Sequence, residues 1–174
     1  MIEKELVNNL TYWDGYSQYY KGLAERGRTE NEKLKKILIK TLKKNEQLKS
    51  LCDLGCASSG LYQYLQNKHI NNIAYSGFDI SNELLLEGKK LFPGIYSKHF
   101  DITSQDLPQD YDVVYSSEML SHIKNSFHKE VIKKILKHST KYALFSMKYC
   151  LNESFEQSFF STLHYMLIRI SQNY

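Results

Sequence analysis

Proline and glycine are scarce in this chain, with two and eight among 174 residues, and that scarcity argues against long disordered linkers. No apolar run approaches the roughly 20 residues that a membrane-spanning helix needs, so we expect no membrane partner. Charged side chains begin at Glu3, which predicts that no signal peptide is present. From these absences we expect a cytoplasmic protein.

Cysteine is also rare. Cys52, Cys56 and Cys150 are an odd number, and their spacing matches no zinc or redox motif, so we predict no metal site. Cys52 falls in an apolar run, where cysteine behaves as a small hydrophobe. A structural role is therefore favoured over a catalytic one.

Arginine and aromatic residues are missing from the two lysine-rich segments, residues 33–49 and 133–141. Their lysines alternate with leucine and isoleucine at helical spacing, which is typical of the solvated face of a surface helix. A stripe that binds nucleic acid would interleave arginine and aromatic side chains. We therefore expect no nucleic-acid partner.

What the chain does contain is an alternation of short β-like runs with helical ones. Its hydrophobic content of 42% and charged content of 24% are typical of a globular protein with one core. The alternation implies right-handed crossovers and a mostly parallel sheet that is covered on both faces. We predict an α/β fold, a Rossmann-like three-layer sandwich, with strands at residues 50–54, 73–79, 97–101, 111–116 and 142–147.

The two ends of the chain differ from this core. Residues 1–28 are rich in aromatics without clean periodicity, and we predict an irregular arm that packs over another part of the protein. Residues 151–174 place apolar side chains on one helical stripe, which predicts a C-terminal helix that serves the core, a lid or a dimer contact. With a Rossmann-like core at residues 45–150, the prediction is a single domain over residues 1–174.

A turn of small residues follows the first predicted strand, at residues 53–60. Gly55, Ala57 and Gly60 let the backbone approach a nucleotide-like ligand closely, because bulky side chains there would block it. Asp53 opens the turn with a carboxylate, which would repel a pyrophosphate but would suit a ligand that carries an ammonium and hydroxyls. The turn therefore favours S-adenosylmethionine over NAD.

Two further acidic residues stand at predicted strand ends. Asp79 lies about 20 residues beyond Gly60, a spacing at which a carboxylate accepts hydrogen bonds from both hydroxyls of a ribose. Its alternative role is to cap the helix that begins after Ser81. Asp101 could accept from the amine of an adenine, and its alternative role is that of a turn residue before residues 103–105.

Four segments in this order resemble the motifs of class I S-adenosylmethionine-dependent methyltransferases: residues 53–60, 77–81, 100–102 and 112–123. The last segment is similar to the Ser-x-Glu-x-Leu-x-x-His-Ile signature of the small-molecule branch, although its His-Ile pair arrives one residue early. The family usually has glycine where Ala57 and Ser59 stand, so we expect a narrower space beside the cofactor.

The resemblance implies a role at the cofactor for each matching position. It implies that the first turn surrounds the methionine moiety of S-adenosylmethionine and that the second strand end holds the ribose. It also implies that the third strand end flanks the adenine and that the backbone at the fourth faces the amino group. An aromatic arm then closes over the cofactor. In that order the residues are Asp53, Gly55, Cys56, Ala57 and Gly60; Asp79 and Ile80; Asp101 and Ile102; Ser116; and Tyr12, Trp13 and Tyr16.

The same resemblance implies methyl transfer to a small-molecule acceptor, on oxygen or on nitrogen. His122 is the candidate base, because imidazole titrates near neutral pH, and its alternative role is only to shape the pocket. Glu118 is the second catalytic candidate, which either orients the acceptor or caps the following turn. The alternative functions are a non-catalytic S-adenosylmethionine-binding protein and, less favoured, an NAD-dependent oxidoreductase.

The family's sheet is normally completed by an antiparallel pair of strands after the fifth strand. The residues after Tyr149 are few and resemble a helix, so we expect the C-terminal β-hairpin to be missing or replaced by helix. An uncovered edge strand invites association with another chain. We therefore expect a homodimer through the C-terminal helix or the sheet edge.

Overall fold

A computed structural model describes residues 15–25, 32–149 and 162–169 of the chain. In this part the helices are α1 Ser17–Glu25, α2 Glu32–Lys44, α3 Gly60–Asn67, α4 Asn82–Leu91 and α5 Asn125–Lys137, with a 3-10 turn at Met119–His122 before α5. The strands are β1 Ser50–Leu54, β2 Ala74–Asp79, β3 Ser97–His99, β4 Tyr111–Ser116, β5 Ser139–Tyr149 and β6 Thr162–Arg169. None of the described helices is long and apolar enough to cross a membrane.

The six strands form one sheet in the order β3-β2-β1-β4-β5-β6. Strands β1 to β5 are parallel, and helices separate most of them along the chain. The predicted α/β sandwich with a mostly parallel sheet is therefore confirmed. Strand order reverses between β1 and β4, and in sheets of this kind ligands bind beyond the carboxyl ends of the strands at that point.

Helices α2 and α3 cover one face of the sheet. Their buried leucines pack on side chains of β1, β4 and β5, and each buried leucine contributes roughly 1.5–3 kcal/mol to folding. The apolar residues of α2 recur every three or four positions, and the stripe that they form is buried against the sheet. The main contributors are Leu34, Leu38, Leu61, Leu65, Leu51, Val113 and Leu144.

Helix α5 covers the opposite face. Val131 and Ile135 pack there against Cys52 and Val114, all of them buried. Cys52 thus lies in the apolar core as predicted, and burial raises the pKa of its thiol well above the usual value. Helix α1 packs against α3 and α4, near the carboxyl ends of the strands.

The predicted C-terminal helix is wrong where the structure describes it, because Thr162–Arg169 forms strand β6. This strand pairs antiparallel with β5 along its whole length, from Tyr149 opposite Thr162 to Tyr142 opposite Arg169. A short apolar run does not distinguish strand from helix by periodicity alone, and the unpaired edge of β5 decides in favour of the strand. The correction concerns only this segment, where one antiparallel strand stands in place of the expected helix, because residues 150–161 and 170–174 lie outside the described part.

Four strand ends also differ from the prediction: β2 begins at Ala74 and β5 ends at Tyr149, and the other two have a structural explanation. Strand β3 ends at His99 rather than at residue 101, because the Asp101 side chain folds the chain into a turn with Thr103. Strand β5 begins at Ser139 rather than at residue 142, where it pairs with Tyr111 of β4. In both cases the boundary depends on a contact that periodicity does not contain.

Candidate active site

The turn between β1 and α3 brings the end of one strand against the end of the next. The amides of Gly55 and Cys56 both donate to the carbonyl of Phe78, at 2.8 and 3.1 Å. Gly55 has a φ of 77°, and a Cβ atom there would lie 2.9 Å from the Cβ atom of Met119. Both the backbone angle and the close neighbour therefore require glycine at this position.

Ala57 and Ser59, at two positions where the resembling family usually has glycine, nevertheless have left-handed backbones with φ of 46° and 63°. An L-residue in that conformation costs roughly 1–2 kcal/mol. The Ala57 amide donates to Oδ2 of Asp79 at 2.9 Å, a contact that helps to hold the turn in this shape. The replacement of glycine thus leaves the course of the turn unchanged and adds strain, which is often found at functional sites.

A cleft opens where the carboxyl ends of β1, β2 and β4 meet, at the reversal of strand order. Eleven side chains or backbone segments that the sequence singled out line it: Asp53, Gly55, Cys56, Ala57, Gly60, Asp79, Ile80, Asp101, Ile102, Glu118 and His122. Sequence reasoning missed other lining residues, notably Tyr20, Leu23, Phe100, Thr103, Tyr115, Ser117, Met119 and Ile123.

Asp53, near the end of β1, is only 3% exposed. Its Oδ2 atom accepts a hydrogen bond of 2.6 Å from the hydroxyl of Tyr75. Burial raises the pKa of the Asp53 carboxyl to about 7, the bond from Tyr75 opposes that rise, and the nearby charge of Asp79 adds to it. Near neutral pH this carboxyl is therefore balanced between its neutral and charged forms.

Asp79 ends β2 and is held by backbone amides on both sides. Its Oδ2 accepts from Ala57 and its Oδ1 accepts from Ser81, each at 2.9 Å. Burial raises the pKa of this carboxyl, and the backbone hydrogen bonds oppose the rise. The alternative role as a helix cap belongs to Ser81, whose hydroxyl accepts from the amide of Leu84 at 3.2 Å.

Asp101 lines the cleft and also makes the turn that is its alternative role, and its contact with adenine stays a prediction. Its Oδ1 accepts from the amide and the hydroxyl of Thr103, at 2.9 and 2.7 Å, and its Oδ2 accepts from the hydroxyl of Ser104 at 3.0 Å. Partial burial raises the pKa of Asp101, but these hydrogen bonds outweigh it and the resulting pKa lies below the usual value. The carboxylate is therefore charged and fixed in orientation.

Lys134 supports the same turn from α5. Its Nζ atom donates to the carbonyls of Ile102, Thr103 and Gln105, at 2.8, 3.3 and 2.8 Å. An ammonium has three donors, and here all three meet backbone oxygens. The wall of the cleft formed by residues 101–105 is thus anchored by a residue that does not itself line it.

Glu118 follows β4 with a left-handed backbone, φ 60°. Its amide donates to the hydroxyl of the fully buried Ser146 in β5, at 2.8 Å. The Glu118 side chain makes no capping bond to the 3-10 turn, which weakens the capping alternative. His122 ends that turn and lines the cleft. Ser116 is fully buried within β4, and its neighbour Ser117 lines the cleft in its place.

The prediction of an irregular aromatic arm is wrong for Ser17–Glu25, which form helix α1, and the arm is only partly described. Tyr12 and Trp13 lie outside the described residues, and Tyr16 is 43% exposed and is not among the residues that line the cleft. Tyr20 and Leu23 of α1 line it instead. These two stand four and seven positions after Tyr16, so the helical spacing from Tyr16 is the signal that could have found them.

Comparison with known proteins agrees with this geometry. A family model described as "Methyltransferase domain" matches residues 25–171. A TehB-like S-adenosylmethionine-dependent methyltransferase from Corynebacterium glutamicum is 16% identical, with 83% of this chain and 76% of that one covered, at a TM-score of 0.62. A similar enzyme from Clostridium acetobutylicum is 15% identical, with 89% and 79% covered, at 0.60. No curated protein sequence matches.

Other solved structures are longer than this chain. CalS10, an amino pentose methyltransferase from Micromonospora echinaspora solved with bound S-adenosylmethionine, is 14% identical, with 79% of this chain but 57% of its own length covered, at a TM-score of 0.58. The chain spans only 35% of coclaurine N-methyltransferase. At these identities the likeness concerns the fold, whereas the family match extends over most of the chain. The chain belongs to the methyltransferase domain family, and it shares its fold with S-adenosylmethionine-dependent methyltransferases of known structure.

Proposed function

We propose that this chain binds S-adenosylmethionine in the cleft and transfers its methyl group to a small-molecule acceptor. One observation carries the proposal: Asp53 and Asp79, two buried carboxyls, face the cleft at the end of a glycine turn in a family of methyltransferases. Carboxylates suit the sulfonium, ammonium and ribose hydroxyls of that cofactor, and Gly55 lets the turn pass close to Met119 where a side chain would collide with it.

The chemistry needs little from the protein beyond alignment. S-adenosylmethionine supplies an electrophilic methyl group when bound, and a displacement of this kind is accelerated mainly by holding the reactants in line. The turn from Gly55, the carboxylate of Asp79 and the wall at Asp101 would orient the cofactor. Met119 and Ile123 present apolar surface to the cleft beside His122, which would exclude water from the acceptor side.

An oxygen nucleophile also needs a group to take its proton. His122 lines the cleft and titrates in the neutral range when unperturbed, and we propose it as the general base. The Glu118 carboxylate, next to a backbone held in a strained conformation, would orient the acceptor. An amine acceptor that arrives neutral would require only the orienting group.

Thermal melting separates the proposed function from its alternatives. We expect S-adenosylhomocysteine and S-adenosylmethionine to raise the melting temperature in a concentration-dependent way, because ligands that bind only the folded state stabilise it. NADH serves as the control for an oxidoreductase. Stabilisation by NADH alone would refute the proposal, and binding without transfer of labelled methyl to any acceptor in a broad panel would favour a binding protein. The cytoplasmic location and the homodimer stay predictions.

The role of His122 is tested by two variants. We expect His122→Ala and His122→Gln to bind S-adenosylhomocysteine as the parent protein does, and to lower kcat about a hundredfold, because general-base catalysis contributes about that factor. Calorimetry measures the affinity, and labelled-methyl transfer to the best acceptor measures kcat. If His122→Gln keeps full turnover, His122 only shapes the pocket.

A further inference from the structure

A tyrosine outside the predicted set contacts one of the two buried carboxyls of the cleft. We infer that Tyr75 is a positioning residue that presents Asp53 as a carboxylate to the cationic group of the ligand, so that binding expels the Asp53 proton to solvent. The inference rests on the proposed function, since it takes the ammonium of S-adenosylmethionine or S-adenosylhomocysteine as that cationic group.

The register of the sheet brings the two side chains together. Tyr75 pairs with Leu51, and Asp53 pairs with Gly77, so all four positions point to one face of the sheet. Tyr75 and Asp53 are diagonal neighbours across the β1–β2 pair. The phenol hydroxyl bridges that diagonal and donates to Oδ2 of Asp53 at 2.6 Å, a short bond typical of a carboxylate acceptor.

Glycine at position 77 makes this reach possible. A Cβ atom on Gly77 would lie 3.2 Å from Cε1 of Tyr75 and 2.9 Å from Sγ of Cys56. The ring of Tyr62 packs edge-on against Tyr75, with 5.4 Å between the ring centroids, which lies within the roughly 4.5–7 Å typical of aromatic pairs. The ring of Tyr75 therefore lies over Gly77 in one orientation, in which its hydroxyl donates to Asp53.

The titratable groups around Asp53 come from several elements. They are Cys52 in β1, Cys56 in the turn, Asp79 at the end of β2, Tyr115 in β4, and Glu118, His122 and Tyr20 along the cleft. Burial raises the pKa values of Cys56, Tyr75 and Tyr115, so these groups are neutral near pH 7. The charge of Asp79 raises the pKa of Asp53 and so disfavours its carboxylate form, whereas the hydrogen bond from Tyr75 lowers that pKa.

These contacts determine whether Asp53 gains or loses a proton when ligand binds. The pKa of Asp53 is raised to about 7 mainly by burial, so below that pH the carboxyl carries its proton before ligand binds. A cation that arrives next to it favours the charged form. Binding then converts a carboxylic acid into a carboxylate paired with the ligand, and the proton passes to the buffer. Affinity should therefore rise as the pH approaches 7, and it should fall again at a pH where the ligand's own ammonium loses its proton, at about 8 for an α-amino group.

Calorimetry with S-adenosylhomocysteine tests this directly. Titrations at about pH 6, 7 and 9, each in two buffers of different ionisation enthalpy, give the number of protons released on binding. From Asp53 we expect the release of nearly one proton at pH 6 and about half at pH 7, whereas at pH 9 the largely neutral amino group of the free ligand should take up a proton on binding. Tyr75→Phe should bind about tenfold more weakly than the parent at pH 6, because Asp53 must lose its proton there and the bond from Tyr75 favours the charged form by about that factor. At pH 9 the carboxyl is charged before and after binding, so the affinities of the two proteins should agree within about twofold.

Tyr62→Phe is the matched control, because it removes a phenol hydroxyl from the adjoining ring and leaves the Tyr75–Asp53 bond in place. It should follow the parent at every pH, and the comparison between proteins cancels the titration of the ligand itself. A loss in Tyr75→Phe that is the same at pH 6 and pH 9 would indicate a merely structural role. Proton release that is absent in the parent protein would also overturn the inference. If the parent protein does not bind at any pH, the proposed function fails instead.

Discussion

Two buried carboxyls at neighbouring strand ends face the same cleft with different bonding. Asp79 accepts one backbone amide on each oxygen, so its position is set by the turn and by the start of α4. Asp53 accepts from the side chain of Tyr75, and its pKa of about 7 leaves its charge dependent on pH and on ligand. At the scale of single residues, one carboxyl is thus fixed in place and the other is adjustable.

Replacement of Asp79 tests the fixed carboxyl. We expect Asp79→Ala to weaken binding of S-adenosylhomocysteine by more than tenfold, because hydrogen bonds from ribose hydroxyls to a charged acceptor are lost. The protein should stay folded, with a lower free energy of unfolding, since the amides of Ala57 and Ser81 lose their partner. Calorimetry and urea denaturation measure the two effects, and Glu83→Ala, an exposed acid in the first turn of α4, is the control. Unchanged affinity would show that the ribose is held elsewhere.

At the scale of elements, the surface helices α1 and α5 help to shape the cleft. Helix α1 contributes Tyr20 and Leu23 to the lining and is linked to α4 by an ion pair of 3.2 Å between Lys21 and Glu87. Helix α5 belongs to a lysine-rich segment whose spacing predicts a solvated face, yet Lys134 anchors the wall at residues 101–105. Helix α5 therefore has a solvated face, and its Lys134 holds residues 101–105 in position.

Lys134→Met tests this anchor. We expect affinity for S-adenosylhomocysteine and for adenosine to fall by about tenfold, because three carbonyls lose a charged donor and the wall of the cleft at residues 101–105 loses its fixed shape. Lys133→Met is the matched control, because that neighbouring lysine pairs with Glu130 on the exposed side of the same helix. Lys134→Arg should restore part of the affinity. A change in melting temperature without any change in either affinity would contradict the prediction.

At the scale of the whole molecule, one side chain ties the three central strands together at the end opposite the cleft. Asp112 of β4 accepts from the amides of Lys49 and Ser50, at 2.6 and 3.1 Å, where β1 begins. It also accepts from the hydroxyl of Thr140 in β5, at 3.2 Å. This end of the sheet serves the stability of the fold, and the opposite end carries the cleft.

Asp112→Ala should therefore lower the free energy of unfolding by about 2–4 kcal/mol, since three donors lose a charged acceptor. Binding of S-adenosylhomocysteine to the folded protein should change by less than twofold, because Asp112 lies at the far end of β4 from the cleft. Urea denaturation and calorimetry measure the two quantities. Glu46→Ala, an exposed acid in the loop before β1, provides the control for loss of a surface charge. An equal loss of stability in both variants would refute the role of Asp112.

Local patterns in the sequence determined the α/β class and most of the positions around the cleft. The small residues at 55–60 and the acids at the strand ends could be predicted because close approach and charge depend on residue type at a given spacing. Parallel strands then bring their carboxyl ends to one edge, whatever the details of packing. The alternative role of Asp101, that of a turn residue, is confirmed, and it could be predicted because the turn involves only neighbouring residues.

Tertiary structure alone decided the parts that depend on distant partners. The pairing of β6 with β5 turned a segment with helical spacing into a strand, because an open sheet edge supplies hydrogen bonds that no local pattern encodes. The contact of Tyr75 with Asp53 needs the β1–β2 register and the space above Gly77. Lys134 reaches residues 101–105 only once α5 packs on the sheet. Sequence therefore determined which chemistry the cleft contains, and long-range packing decided which side chains hold it in position.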